Sequence, residues 1–168
     1  IYAQRLNTSG AAQWNANGIA VCNAGAAQNE AQIVPRVSGG ATIIWTDIRN
    51  SSQPDIYAQA ITLAGAVLWT ANGVPVANES HSQFASHLIA DGGDGAIIAW
   101  QDLRTTLNYD IYSSKLFANG TLPVKLISFT ATLQQKNALL QWQVANELNV
   151  AKYNIQRSVD GNSFTTIG

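Results

Sequence analysis

The sequence predicts an all-β fold made of repeated units. Ile-Tyr-Ala-Gln at residues 1–4 returns at residues 56–59, and Ile-Tyr begins a third copy at residue 111, which gives a repeat period of 55 without a gap. Short apolar runs alternate with glycine-rich turns, which is typical of strands joined by hairpins. No run of useful length has helical periodicity. The chain has 168 residues and is 46% hydrophobic, enough for one ordinary domain or two small ones.

Each repeat is predicted to form four strands. The first two strands flank a glycine-rich turn, which is SGG at residues 38–40 in one copy and DGGDG at residues 91–95 in the next. The third strand is DIYAQAITL at residues 55–63. The fourth lies within AVLWTANGVPV at residues 66–76, with Asn-Gly at its turn.

The strand ATIIW at residues 41–45 is apolar on both faces, as expected for a sheet covered on each side by another sheet. Four strands per repeat, in sheets stacked face to face, are typical of β-propeller blades. Residues 1–120 are therefore predicted to form two four-stranded β-propeller-type blades.

The repeat also resembles a family of secreted bacterial β-propeller repeats. Its motifs are W-x-D-x-R at residues 45–49 and 100–104, D-I-Y-A-Q at 55–59 and G-x-x-x-W at 65–69. A propeller typically needs four or more blades. The resemblance therefore implies that the chain is a piece of a longer secreted or cell-surface protein, with an Asp preceding Ile1.

Residues 121–168 are predicted to form a second module. Its strand-like runs are VKLISFTATL, NALLQWQVA and KYNIQRSVDGNSFTTIG, in which Trp142 and Tyr153 are placed like the core aromatics of a sandwich. LPVKLISFTA, LLQWQVANELN and YNIQRSVDGNSFTTIG are similar to the fibronectin-type-III-like domain near the C-terminus of many secreted Bacteroidota proteins. This resemblance implies part of a fibronectin-III/Ig-like β-sandwich in a cargo protein of the type IX secretion system.

The repeated charged and tryptophan residues are predicted to be structural. A catalytic site is seldom copied into every unit, whereas an Arg paired with a carboxylate or with loop carbonyls would hold the same turn in each copy. Burial between blades explains the tryptophans better than the alternative, a sugar-stacking platform. The repeated positions are Trp14 and Trp69, Trp45 and Trp100, Asp47 and Asp102, Arg49 and Arg104, and Asp55 and Asp110.

Calcium is the one cofactor that the sequence raises. Asp91 and Asp94 of the DGGDG turn supply oxygen ligands, but Arg36 and Gly39 occupy these positions in the first copy, which favours a plain hairpin turn. His81 and His87 have no repeated counterparts and are interpreted as loop histidines. The single cysteine, Cys22, is interpreted as a small buried side chain without basic neighbours in its local sequence.

The predicted function is binding or structure rather than catalysis. A net charge of −1 argues against nucleic acid as a partner, and no apolar run is long enough for membrane insertion. We expect a non-catalytic extracellular or cell-surface module that binds a glycan or a protein, or serves in adhesion or as a spacer. One alternative is an accessory region of a secreted hydrolase whose active site lies outside this chain. A cavity with non-repeated carboxylates or histidines would favour an enzyme. Another is a subunit of an extracellular assembly, joined through β-edges to other copies or to missing parts of the same protein.

Overall fold

The computed structural model describes residues 1–50, 53–105, 108–123, 125–135, 137–145, 152–160 and 162–167. All of the regular elements in these ranges are β-strands, which confirms the predicted all-β class. In chain order the strands are β1 (Tyr2–Ala3), β2 (Ile19–Ala20), β3 (Gln28–Pro35), β4 (Ala41–Asp47), β5 (Asp55–Ile61), β6 (Val74–Ala77), β7 (Gln83–Ala90), β8 (Ala96–Asp102), β9 (Asp110–Leu116), β10 (Lys125–Gln134), β11 (Asn137–Ala145), β12 (Gln156–Arg157) and β13 (Thr165–Thr166).

The first sheet is antiparallel and has the strand order β3-β4-β5-β6. Every residue of β4 and β5 is buried, because both faces of this sheet are covered. On one face, Ile43 and Trp45 pack with Val21 from the loop after β2. On the other face, Ile44 and Ile56 pack against the second sheet. The apolar character of ATIIW on both faces therefore has the structural cause that the sequence predicts.

The second sheet, β7-β8-β9, repeats the first with a displacement of one repeat period. Strands β7, β8 and β9 begin at Gln83, Ala96 and Asp110, one period after the starts of β3, β4 and β5. The bulge also repeats: register shifts occur between Asn29 and Gln32 in β3 and between Phe84 and His87 in β7. The internal repeat therefore extends to the details of strand pairing.

The prediction of four strands in each sheet is right for the first sheet and wrong for the second, in which the described residues form three strands. In the first sheet, the backbone N–H of Leu68 donates a 2.8 Å hydrogen bond to the carbonyl of Ala60 and starts the path toward β6. The residue one period later is Pro123, which has no N–H to donate. The chain then continues into β10, which pairs with β11.

The second module contains two separate hairpins in its described residues, β10-β11 and β12-β13. Large apolar side chains of the first hairpin are exposed, among them Phe129 and Leu133. Trp142 meets Tyr153 edge to face, with ring centroids 6.3 Å apart. The Glu-Leu-Asn loop that the sequence predicts at residues 147–149 lies outside the described residues.

Among the described residues, no helix is long and apolar enough to cross a membrane.

Candidate functional site between the two sheets

A cluster of four side chains organises the first sheet. The indole Nε1 of Trp45 donates to Asp47 Oδ2 at 2.8 Å, and the Arg49 guanidinium donates to the same carboxylate. Arg49 also lies 4.0 Å from the centre of the Tyr57 ring, which stacks on Trp45. The cluster joins β4, β5 and the turn after β4 at one end of the sheet.

The second sheet contains the same cluster, one repeat period later. Trp100 Nε1 donates to Asp102 Oδ2 at 2.9 Å, and the Arg104 guanidinium donates to that carboxylate. Arg104 lies 3.9 Å from the centre of the Tyr112 ring. Both copies are therefore engaged in the same contacts, and a structural role for these repeated residues stays a prediction.

Hydrogen bonding, rather than burial, sets the charge state of the two inner carboxylates. Burial raises the pKa of Asp47, but hydrogen bonds from Arg49 and Trp45 outweigh burial, so the pKa lies below its ordinary value. The pKa of Asp102 is lowered in the same way, with hydrogen bonds from Arg104 and Trp100 outweighing burial. Both carboxylates are therefore ionised in the folded protein at neutral pH.

The outer pair of repeated aspartates differs between the copies. Asp55 is buried and accepts a 3.3 Å hydrogen bond from Asn50 Nδ2, whereas Asp110 is exposed. Burial raises the pKa of Asp55. The carboxylate that binds each Arg is thus the one two residues before it, Asp47 or Asp102.

The four repeated tryptophans fall into two classes. Trp45 and Trp100 are buried, whereas Trp14 and Trp69 are half-buried. Trp14 Nε1 donates to the carbonyl of Leu63 at 3.2 Å, and Trp69 Nε1 donates to the carbonyl of Ala118 at the same distance. Trp14 and Trp69 therefore bridge from one repeat to the turn of the next.

Two glutamines of the repeat were not singled out from the sequence. Gln59 is fully buried; its Oε1 accepts from the N–H of Trp69 and its Nε2 donates to the carbonyl of Thr70, both at 2.9 Å. Gln4 makes the equivalent bonds to Trp14 and Asn15. The glutamine that ends the repeated I-Y-A-Q motif is the sequence signal from which this role could have been inferred.

Asp91 has partners within its own sheet. Its Oδ1 accepts from the backbone N–H groups of two glycines in the DGGDG turn, at 2.9 and 3.1 Å, and its Oδ2 lies 2.9 Å from Lys115 Nζ. The hydrogen bond from Lys115 is the largest cause of a lowered pKa at Asp91.

Asp94 connects the two sheets. It accepts a 2.8 Å hydrogen bond from the N–H of Ser38, and its Oδ2 lies 3.6 Å from Nη2 of the buried Arg36. The hydrogen bonds from Ser38 are the largest cause of a lowered pKa at Asp94. Asp91 and Asp94 thus face different cations, and calcium at this turn stays a prediction. Within the described ranges, no cluster of three His, Cys, Asp or Glu residues is arranged to hold a metal ion.

Two adjoining grooves share Asn78 and Glu79. The first lies between β6 and the second sheet, and the second lies between the loop after β6 and the segment around Asn50 and Asp55. The first groove has a volume of about 220 Å³ and reaches the second cluster at Trp100, Arg104 and Tyr112. Arg104 Nη1 lies 4.0 Å from Glu79 Oε1 across this groove. The side chains offer aromatic surface, a guanidinium and amide groups, a set that suits a peptide or a sugar.

The second groove, of about 410 Å³, is lined by residues with polar side chains, among them Asn50, Asp55, Glu79 and His81. His81 was interpreted as a loop histidine, and the structure places it at this groove, with a buried Nδ1 that has no hydrogen-bond partner. Glu79 and His81 are not repeated in the sequence. They meet Asp55 here because the loop after β6 folds over the turn after β4.

Cys22 is buried, as its sequence indicates, but it has a basic neighbour that the local sequence does not show. Arg49 Nη2 lies 3.1 Å from its Sγ.

Comparison with protein-family models, curated proteins and solved structures finds no match for this chain.

Proposed function

We propose that this chain is a non-catalytic binding region of a secreted or cell-surface protein, built from β-propeller-type blades and part of a fibronectin-III-like sandwich. The support comes from the resemblance of its motifs and from the use of its repeated charges within the sheets. Secretion by the type IX route belongs to the same proposal.

The outer face of the second sheet is the observation that carries the proposal. Ile56 of the first sheet is 0% exposed beneath the second sheet, whereas Ile111, its repeat counterpart, is 72% exposed. Ile89 and Ile97 of the second sheet are also exposed. In the first sheet, the corresponding face is covered by the second sheet. An apolar surface on this face of the second sheet therefore suits a further sheet stacked in the same manner.

The grooves around Asn78 and Glu79 are the proposed ligand site. Both are concave, and the first lies between β6 and the second sheet and combines aromatic and polar side chains, as binding sites commonly do. The ligand class is a glycan or a protein.

The test is binding of the labelled protein to a printed glycan array and to purified collagen, fibronectin and mucin. We expect saturable binding to one class, weakened by Glu79→Gln in the groove. Glu30→Gln, on β3, is the charge-matched control and should bind as the parent protein does. Absence of saturable binding to all of these probes would contradict the proposal.

Hydrolysis is the second candidate, and the second groove favours it. Asp55, with its raised pKa, lies with Glu79 and His81 at one cavity, and such sets supply general acids and bases. The test is turnover of p-nitrophenyl esters, phosphates and glycosides. Turnover that His81→Ala abolishes and Asp160→Asn preserves would support an enzyme over a binding module.

A further inference from the structure

We propose that the outer edge of β9 and the adjoining 220 Å³ groove form an acceptor site for an extended polypeptide strand from another chain. The strand carries the pattern Trp-x-Ala-Asn-Gly-apolar-x-Val. This inference rests on the proposed binding function and names its ligand.

The first sheet shows what fills the equivalent space. There, Gly73 passes so close to Trp45 that a Cβ atom on it would lie 2.5 Å from the indole ring. Arg49 Nη2 donates to the carbonyl of Asn72 at 2.9 Å, and the N–H of Asn23 donates to Asn72 Oδ1, also at 2.9 Å. An Asn-Gly pair therefore covers the tryptophan and satisfies two donors.

The second sheet presents the same groups around an open groove. Trp100, Arg104 and Asn78 are the repeat counterparts of Trp45, Arg49 and Asn23, and all three contribute to the groove. The groove therefore presents the counterparts of the Trp, Arg and Asn groups that the Asn-Gly pair contacts in the first sheet.

The strand edge is open in the same place. In the first sheet, β6 pairs with β5 through Tyr57 with Pro75 and Ala58 with Val74. In the described part of the chain, β9 pairs with β8 alone. Backbone groups on a free edge add an extended chain readily, and side-chain pockets then give specificity.

The required sequence follows from the segment that makes this contact, WTANGVPV at residues 69–76. Its repeat counterpart, WNANGIAV at residues 14–21, has the same pattern. Gly is needed next to the indole, since any Cβ there would collide with the ring. Asn is needed because its carbonyl meets the Arg and its side chain meets a backbone N–H.

Ser114 is one of the acceptor positions that depart from the repeat, and it supplies a test in which affinity should rise. Gln59, which binds the backbone of Trp69 and Thr70, is replaced by Ser114 in β9. Ser114→Gln should restore two hydrogen bonds to an incoming strand. We expect affinity to rise about tenfold, since each of the two hydrogen bonds adds a net factor of about three.

The experiment uses the whole chain and a fluorescein-labelled peptide of residues 68–79, LWTANGVPVANE, with fluorescence anisotropy as the readout. We expect saturable binding, loss of binding when the glycine of the peptide is replaced by Val, and tighter binding to Ser114→Gln. Thr132→Gln places the same side chain on an exposed strand outside the groove and should bind as the parent protein does. Hydrogen exchange should show new protection in β9.

Three results would overturn the inference: no saturable binding of the peptide, equal binding of the Val peptide, or protection confined to β10 and β11. A chain that self-associates and binds no peptide would also overturn it, because a second copy would then occupy the edge. Failure of this test leaves the glycan and matrix-protein result standing, so that the two proposals can fail separately.

Discussion

At the scale of single residues, the fold depends on two buried carboxylates. Asp47 and Asp102 are each 0% exposed, and each binds an indole N–H and a guanidinium. A buried charge is tolerated only when its partners are in place, and removal of one member leaves the other uncompensated. These two aspartates are therefore expected to stabilise the protein, whereas Asp110 is exposed and is not expected to do so.

The first prediction concerns Asp102. Asp102→Ala leaves Arg104 and the Trp100 N–H without their shared acceptor, and we expect the free energy of unfolding to fall by about 3 kcal/mol in urea denaturation. Asp110→Ala removes a repeated but exposed carboxylate and should change stability by no more than about 0.5 kcal/mol. Equal effects of the two substitutions would contradict the structural role of the cluster.

The second prediction is a dependence of stability on acid. The folded pKa of Asp47 and Asp102 lies below that of an unfolded Asp, about 3.9. Their contribution is therefore present above pH of about 4 and is lost as the pH falls through the folded pKa. Asp55 has a raised pKa, so its ionisation disfavours the folded state as the pH rises.

The measurement is the urea midpoint between pH 2 and pH 7. The parent protein should lose stability on acidification, and Asp102→Ala should lose less. Asp55→Asn should be more stable than the parent protein, and this gain in stability should be larger at pH 7 than at pH 3. A reversed order for Asp55→Asn would show that its burial is not the dominant influence.

At the scale of elements, β5 and β9 show how the same repeat strand depends on its surroundings. All seven residues of β5 are buried, whereas β9 is mostly exposed. β6 covers one edge of β5 and the second sheet covers its face, but neither neighbour is present around β9 among the described residues. The sequence pattern of each copy determines that it forms a strand, whereas the elements that pack against it determine how far it is buried.

The third prediction tests the close approach of β6 to the first cluster. Gly73 and Gly92 have φ angles of 87° and 88°, but a Cβ on Gly73 would lie 2.5 Å from Trp45, whereas one on Gly92 would meet nothing within 4 Å. Gly92→Ala should cost about 1–2 kcal/mol from backbone strain alone. Gly73→Ala should cost about 1–3 kcal/mol more, from overpacking. Equal urea midpoints for the two variants would show that the contact is not tight.

At the scale of the whole molecule, burial is concentrated in the repeated part. The two core clusters are made almost entirely of residues from the first two sheets and the segments beside them. The hairpin of β10 and β11 has a long ladder with one register shift, between Leu126 and Ser128, and exposes large apolar side chains, including Phe129 and Leu133. Stability is therefore expected to be unevenly distributed along the chain.

The fourth prediction is the order of hydrogen exchange, measured by mass spectrometry. Amides of β4 and β5 should exchange slowest, because both faces of these strands are buried. Amides of β10 and β11 should exchange much faster, since one hairpin without a covered face is marginally stable. Slow exchange throughout this hairpin would mean that its apolar face is covered in solution.

Part of the candidate site followed from the sequence, and part did not. The repeat predicted structural roles for Trp100, as a buried aromatic, and for Arg104, as the partner of a carboxylate or of loop carbonyls, but it did not predict that the two belong to one cluster. The grooves were not predicted, because Asn78 and Glu79 meet Arg104 and Asp55 only after segments that are distant in the sequence fold together. Nothing in the spacing of Glu79, a surface acid in a polar loop, distinguished it from other loop residues.

The sequence by itself determined the all-β class, the repeat period and the turns, because alternating apolar residues and glycines act over a few neighbouring positions. Tertiary structure alone decided which aspartate binds each Arg, since that depends on which side chain points into the sheet. It also decided that, within the part of the chain that the structure describes, β9 pairs with β8 alone. Pro123 removes one hydrogen-bond donor, and the following strand then pairs with β11, whose ladder lies outside the repeat.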